Sequence, residues 1–197
     1  VTTPAVGADP GEALLLARAQ GGNRFAFEEI VKRYQRRVYG TAYRVTRRHD
    51  LADDVAQEAF VRAWQALPRF DLARPFGPWI CRIAANLAVS QMRSPRQREE
   101  PLPETIGETV AAGPLEGVLE GEAKRLLEGA LERLSAEQRA VFVLRVFEEM
   151  SYQEIAEALT VPVGTVMSRL SRAREHLRVA LLPYLGDGRG RAEGTGS

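Results

Sequence analysis

The stretch from Ser151 to Arg178, SYQEIAEALTVPVGTVMSRLSRAREHLR, constrains the backbone more tightly than any other part of the chain. Ser151 followed three residues later by Glu154 is a capping box: the hydroxyl accepts from the N–H of residue 154, and the carboxylate accepts from the N–H of residue 151. A helix starts there. Ile155, Ala156 and Leu159 recur at three-to-four spacing, while Tyr152, Gln153, Glu154 and Glu157 leave the other face polar. Thr160-Val161-Pro162 stops this helix, because proline has no N–H to donate and drives its predecessor out of helical geometry. Thr165 is placed to cap a second helix with a buried stripe of Val166, Leu170, Ala173 and Leu177. Its other faces carry Met167, Ser168, Arg169, Ser171, Arg172, Arg174 and Arg178. A short helix, a tight corner and a longer helix bearing hydroxyls and arginines is the pattern of a helix-turn-helix, whose side chains reach base edges and phosphates. An ordinary antiparallel helix pair with a solvated basic face has the same spacing, so the pattern alone leaves both open.

The 197 residues have room for one medium or two small domains, and the 45% apolar content is that of a water-soluble protein. No run approaches the length of a membrane span, and VTTPAVGADPGEA lacks the basic start and apolar core of a signal peptide, so a cytoplasmic location is expected. One cysteine, Cys81, excludes an internal disulfide framework, and in its apolar helical setting it reads as a buried thiol. His49 and His176 have no partners at metal-ligand spacing, and no phosphate loop or nucleophile elbow is present, so neither cofactor nor metal nor catalysis is expected. The net charge of +1 conceals a sorting of charge along the chain. Arg24, Lys32, Arg33, Arg36, Arg37, Arg44, Arg47 and Arg48 face only Glu28 and Glu29, and Asp50, Asp53, Asp54 and Glu58 then follow with no Lys or Arg before Arg62. Such segregation suits one anionic and one cationic partner.

In chain order, residues 1–10 read as a frayed leader and residues 11–19 as a short helix through Leu14, Leu15 and Leu16, ended by Gly21-Gly22. Asn23 caps a long helix to Arg47 that buries Phe27, Ile30, Val31, Tyr34, Val38, Ala42 and Val45 and turns its basic residues outward. Asp50 opens a helix with Leu51, Val55, Ala59 and Ala63 on one side, extended by Phe60, Trp64 and Leu67. A loop rich in Phe, Arg and Pro runs from residue 69 to 78, and helical spacing resumes at Trp79 through Ile80, Ile83, Ala84, Leu87 and Val89. Residues 94–115 hold Pro, Gly and Glu without a period and read as an acidic linker. A helix over 116–134 follows, then one capped by Ser135 and Gln138 that packs through Val141, Phe142, Leu144 and Val146 and points Arg145 outward. Residues after Leu182 and Pro183 read as a disordered glycine-rich tail.

Several of these segments resemble one family, the extracytoplasmic-function sigma factors of bacterial RNA polymerase. SYQEIAEAL with PVGTVMSRLSRAREHL is similar to their region 4, LSAEQRAVFVLRVFEEMSYQEIA to region 4.1, LADDVAQEAFVRAWQAL to region 2.2, and FGPWICRIAANLA to the passage from region 2.3 into 2.4. The resemblance implies an all-α fold of two small helical domains, region 2 over 11–93 and region 4 over 116–183, joined by a flexible acidic linker over 94–115 that resembles region 3.2 and followed by a tail over 184–197.

The resemblance further implies core polymerase and promoter DNA, duplex and single-stranded, as partners, with no membrane insertion; it leaves open whether an anti-sigma protein also binds. Asp53, Asp54, Gln57 and Glu58 would dock on the clamp helices of the largest subunit, and region 4.1 would clasp the flap of the second-largest. Phe70, Arg74, Phe76, Trp79, Arg82 and Asn86 would take the unstacked minus-10 strand, which needs aromatic faces and cations. Gly164, Thr165, Met167, Ser168, Ser171 and Arg172 would read the minus-35 duplex. Two departures from the family pattern stand out. Thr160 replaces a common turn glycine, and Met167 replaces a common Lys or Arg. A conventional helix-turn-helix regulator, the competing reading, would bind duplex operators alone and would not need residues 70–86.

Overall fold

The computed structural model describes residues 10–94 and 122–185. The leader, nearly all of the acidic linker and the glycine-rich tail therefore lie outside the described residues. The described chain is helical: α1 (Pro10–Gln20), α2 (Arg24–Thr46), α3 (His49–Ala66), a 3-10 turn (Leu67–Arg69), α4 (Phe76–Arg93), α5 (Glu122–Glu132), α6 (Ala136–Val146), α7 (Tyr152–Leu159) and α8 (Val163–Leu185).

Helices α2, α3 and α4 pack mutually around Val38, Val45, Val55, Ala59, Ile80 and Ala84, all fully buried, and α1 closes one end against α2. The cap expected at Asn23 is formed, its Oδ1 accepting from the Ala26 N–H at 3.0 Å. From α1 the Gln20 amide donates to the Leu67 and Phe70 carbonyls at 3.0 and 2.8 Å, which fixes the turn leading to α4. In the second module α8 packs on α5, α6 and α7 through Val166, Leu170, Ala173 and Leu177, all buried as their spacing requires. Burial of each leucine is worth roughly 1.5–3 kcal/mol, which makes this stripe the spine of the module. Both expected capping boxes are present, at Ser135/Gln138 and Ser151/Glu154.

Several expectations are corrected. Leu14 points to solvent at 62% exposure, because the 3.6-residue period turns Leu16, and in part Leu15, to the core and leaves Leu14 outside. Helix α4 begins at Phe76 rather than Trp79, since a proline at residue 78 falls in the first turn, where no N–H is needed. Helix α8 begins at Val163, so Thr165 lies inside it and donates its N–H to the Pro162 carbonyl at 2.9 Å instead of capping. The same helix continues through Pro183 to Leu185. Val146 is 38% exposed, and Arg145 bends back to donate to the Met150 carbonyl at 3.0 Å rather than standing free.

Thr160 ends α7 in the left-handed region, at φ 53° and ψ 50°, with its N–H on the Ala156 and Glu157 carbonyls. A Cβ at that φ is strained. Thr160→Gly should stabilise the fold by about 1 kcal/mol and raise its melting temperature by roughly 3 °C, measured by circular dichroism.

The two modules share a seam. Helix α6 lies against α2 and α4, and α7 lies against α4. Two arginines of α2 or its C-terminal cap expected to face outward, Arg37 and Arg47, turn into the structure, and Arg48 just beyond is buried as well. Arg37 Nη2 pairs with Glu148 at 2.7 Å, the Arg47 side chain is 7% exposed and reaches Glu132 at 3.2 Å, and Arg48 pairs with Asp50 at 2.6 Å. Arg139 is buried and donates to the Val45 carbonyl at 2.6 Å and the Leu134 carbonyl at 3.0 Å, tying the end of α2 to the start of α6. Burial, reinforced by the neighbouring Arg47, draws its pKa down to about 10.

Candidate nucleic-acid interface

The outer face of α8 is built by its own periodicity. Once Val166, Leu170, Ala173 and Leu177 are committed inward, the residues between them must look out. Gly164, Met167, Ser168, Ser171 and Arg172 are exposed and Thr165 is half-buried. Positions 164, 168 and 171 with 167, 171 and 174 share one side of the helix, so hydroxyls, a thioether and arginines make a continuous strip. Ser168 already donates to the Thr165 carbonyl at 3.0 Å, leaving its oxygen free to accept. Met167 is 54% exposed, a large apolar side chain held in solvent on a polar strip.

A second row lies on α4, where Trp79, Arg82 and Asn86 are half-buried and spaced three and four apart along one face. Arg74 is exposed in the loop before the helix, 3.9 Å from Asp71. Phe70 and Phe76, expected with this row, are core residues at 7% and 0% exposure. Their rings meet edge to face at 5.8 Å, and Phe76 is also packed on Tyr34 at 5.1 Å. They back the Trp79 ring, at 4.5 and 5.3 Å from it, and hold it in place. No base can reach Phe76 without unfolding the bundle.

On α3, Asp53, Asp54 and Gln57 are exposed, and Glu58 is half-exposed and paired with Arg62 at 2.7 Å. Beside them, Phe27, Phe60, Val61 and Trp64 line a shallow apolar groove of about 260 Å³ edged by Arg24 and Glu28. An acidic and amide row next to an apolar trough is suited to a protein partner more than to DNA, which repels carboxylates. Among the described residues no cluster of His, Cys, Asp and Glu could hold a metal ion, and no helix is long and apolar enough to cross a membrane.

Sequence reasoning did not find the residues of the seam. Arg139 heads the apolar run AVFVL, which is the available signal, but Arg145 at the other end offers the same signal in the same helix. Glu148 lies 111 residues from its partner Arg37, and nothing local marks the pair.

Residues 30–99 match the family described as Sigma-70 region 2, and residues 124–177 match Sigma-70, region 4. The chain is 34% identical over 176 residues to the ECF RNA polymerase sigma factor SigW of Bacillus subtilis (strain 168), covering 84% of this chain and 94% of that one. It is 33% identical over 186 residues to the ECF RNA polymerase sigma-E factor of Escherichia coli (strain K12), covering 88% and 96%. Among solved structures it is similar to CnrH in complex with the cytosolic domain of CnrY, at 30% identity and a TM-score of 0.58 over 88% of this chain and 98% of that one. It is also similar to RpoE in complex with the anti-sigma factor NepR from Bartonella quintana, at 29% identity and a TM-score of 0.59 over 79% and 96%. With both matches in the same order as the two helical modules, the chain belongs to the extracytoplasmic-function sigma factors of the sigma-70 family, which direct promoter-specific initiation by RNA polymerase.

Proposed function

We propose that this sigma factor divides promoter recognition between the two rows described above. The strip Gly164 to Arg172 on α8 reads the minus-35 duplex in the major groove. The row Arg74, Trp79, Arg82 and Asn86 takes unstacked minus-10 bases, and Asp53, Asp54, Gln57 and Glu58 on α3 dock on the clamp helices of core polymerase, while α6 and the start of α7, the stretch similar to region 4.1, meet the flap. The observation that carries this reading is the exposed α8 strip, where every inward position is apolar and every outward one is small, hydroxylated, cationic or Met167. Phe70 and Phe76 act behind the row as its support. Two modules that each grip weakly gain affinity when core polymerase holds both, because the second contact becomes intramolecular. The solved relatives bound to CnrY and NepR support an anti-sigma protein as a further partner.

Run-off transcription with bacterial core polymerase on a randomised promoter library, with and without the protein, tests the reading. Enrichment of paired minus-35 and minus-10 elements is expected. Transcripts independent of the protein would refute it.

Met167 adds a testable detail. A thioether cannot donate to guanine, but it can pack on a thymine methyl in the major groove. Met167→Arg should shift the preferred minus-35 base toward guanine at one position, by roughly fivefold or more, given the 1–3 kcal/mol that a bidentate arginine–guanine contact discriminates. Library sequencing after selection reads this directly.

A further inference from the structure

The second module lies on top of the row assigned to the minus-10 strand. The Asn86 amide donates to the Ala158 carbonyl at the end of α7. Between the modules is a cleft of about 340 Å³ with Arg74, Pro75, Pro78, Trp79 and Arg82 on one wall and Met150, Glu154 and Glu157 on the other. Two carboxylates thus face two guanidinium groups beside an indole, the same charge pattern that a phosphate backbone would present. Hydrogen bonds from Ser151 hold the Glu154 carboxyl below the usual range, and attraction from Arg74 adds to this.

One contact fastens the arrangement. The Glu148 side chain is 3% exposed and sits in the short connection before α7. It accepts from Arg37 Nε at 2.9 Å and from the buried Thr41 hydroxyl at 3.1 Å, both on α2 of the other module. Gly77 makes room for the guanidinium: a Cβ there would collide with Arg37 Nη1 and lie 2.9 Å from its Cζ. Glu148 and Arg37 would each regain full hydration if the modules parted. A buried ion pair and two hydrated ions are close in free energy, so such a fastening is reversible.

We propose that the second module is a built-in cover for the minus-10 row, latched by Glu148 on Arg37 and Thr41, and that single-stranded promoter DNA and the α7 carboxylates compete for Arg74 and Arg82. This rests on the assignment of α4 to the minus-10 strand. Closed, the chain cannot grip a melted strand; the two modules must part before the row is free. Recruitment to polymerase and opening are thereby linked, and the chain has little use for stray single strands elsewhere.

Cys81, the sole cysteine, reports the state of the seam. It is fully buried in α4, and burial, with the charge of the Glu148 carboxylate, pushes its thiol pKa up. The test uses the full chain in three forms: unchanged, Glu148→Ala, and Gly77→Ala, which displaces the guanidinium while keeping every charge. Each is measured by circular dichroism, by small-angle scattering, by the rate of Cys81 labelling with a maleimide dye, and by anisotropy with a labelled single strand of randomised sequence, about 12 nucleotides long. Both variants should keep their helicity, expand, label at least tenfold faster and bind the strand at least fivefold more tightly. Variants that remain compact and slow to label overturn the latch. Variants that open without gaining affinity overturn the cover while leaving the assignment of α4 intact. If no form binds the strand even when open, the α4 assignment falls first and the cover with it.

Discussion

Phe76→Ala should lower the stability of the protein by about 4 kcal/mol, the usual cost of emptying a fully buried aromatic site, and its melting temperature by roughly 10 °C. The Phe76 ring is enclosed by Tyr34, Phe70 and Trp79, and its removal leaves a void that the middle of α2 and the start of α4 cannot close without losing their other contacts. Trp79→Ala should behave differently. Its ring is half-buried at the lip of the cleft, so the melting temperature should fall by only a few degrees, yet open-complex formation with core polymerase should drop about tenfold or more, since one base stacked on an aromatic ring is worth roughly 1–3 kcal/mol. Thermal melts beside permanganate footprinting of the melted promoter separate the two. Equal thermal losses in both variants would mean that Trp79 is merely structural.

The other large effect is expected on α3. In the double variant Asp54→Ala, Gln57→Ala, run-off transcription should fall by at least about tenfold, the equivalent of roughly 1.4 kcal/mol of lost docking. Its melting curve should be nearly unchanged, because exposed positions away from caps and buried networks usually move stability by less than about 0.5 kcal/mol. Trp64→Ala provides the contrast. Trp64 packs on Phe27 at 4.9 Å, so its loss should reduce transcription by loosening the bundle, and the melting curve should record it. Co-elution of each variant with core polymerase on gel filtration distinguishes a missing contact from a missing fold. Full transcription by the double variant would remove these residues from the docking surface.

What was legible in the sequence is what is local. The capping boxes at Ser135 and Ser151 and the cap at Asn23 act over three residues, and the stripe Val166 to Leu177 repeats every three to four, so adjacent letters carry them. The turn strain at Thr160 was legible for the same reason. On α4 the stripe Ile80, Ala84 and Leu87 is plain in the sequence and Cys81 reads as buried beside it, but Ala85 and Ala88 are buried as well. The second module packs on this helix too, and a helix covered on two sides shows no clean period. The arginines of α2 expose the same limit. Their spacing places Arg37 on an outer face of its own bundle, and only the approach of Glu148 makes that face an interior one. Phe70 and Phe76 read as strand-binding in the sequence because aromatic residues near arginines suit both a stacking platform and a core, and only their burial in the fold separates the two roles.

Met167 has one more consequence. Each arginine or lysine that closes on a phosphate expels condensed counterions from the duplex, and that release is what makes DNA affinity fall as electrolyte is added. A thioether projecting from the centre of the α8 strip takes no part in the exchange, and the neighbouring Ser168 and Ser171 are uncharged too. If α8 reads the minus-35 duplex as proposed, its salt dependence comes from arginines such as the exposed Arg172 and Arg174, and its grip varies less with the ionic strength of the cell than a strip with lysine or arginine at residue 167 would.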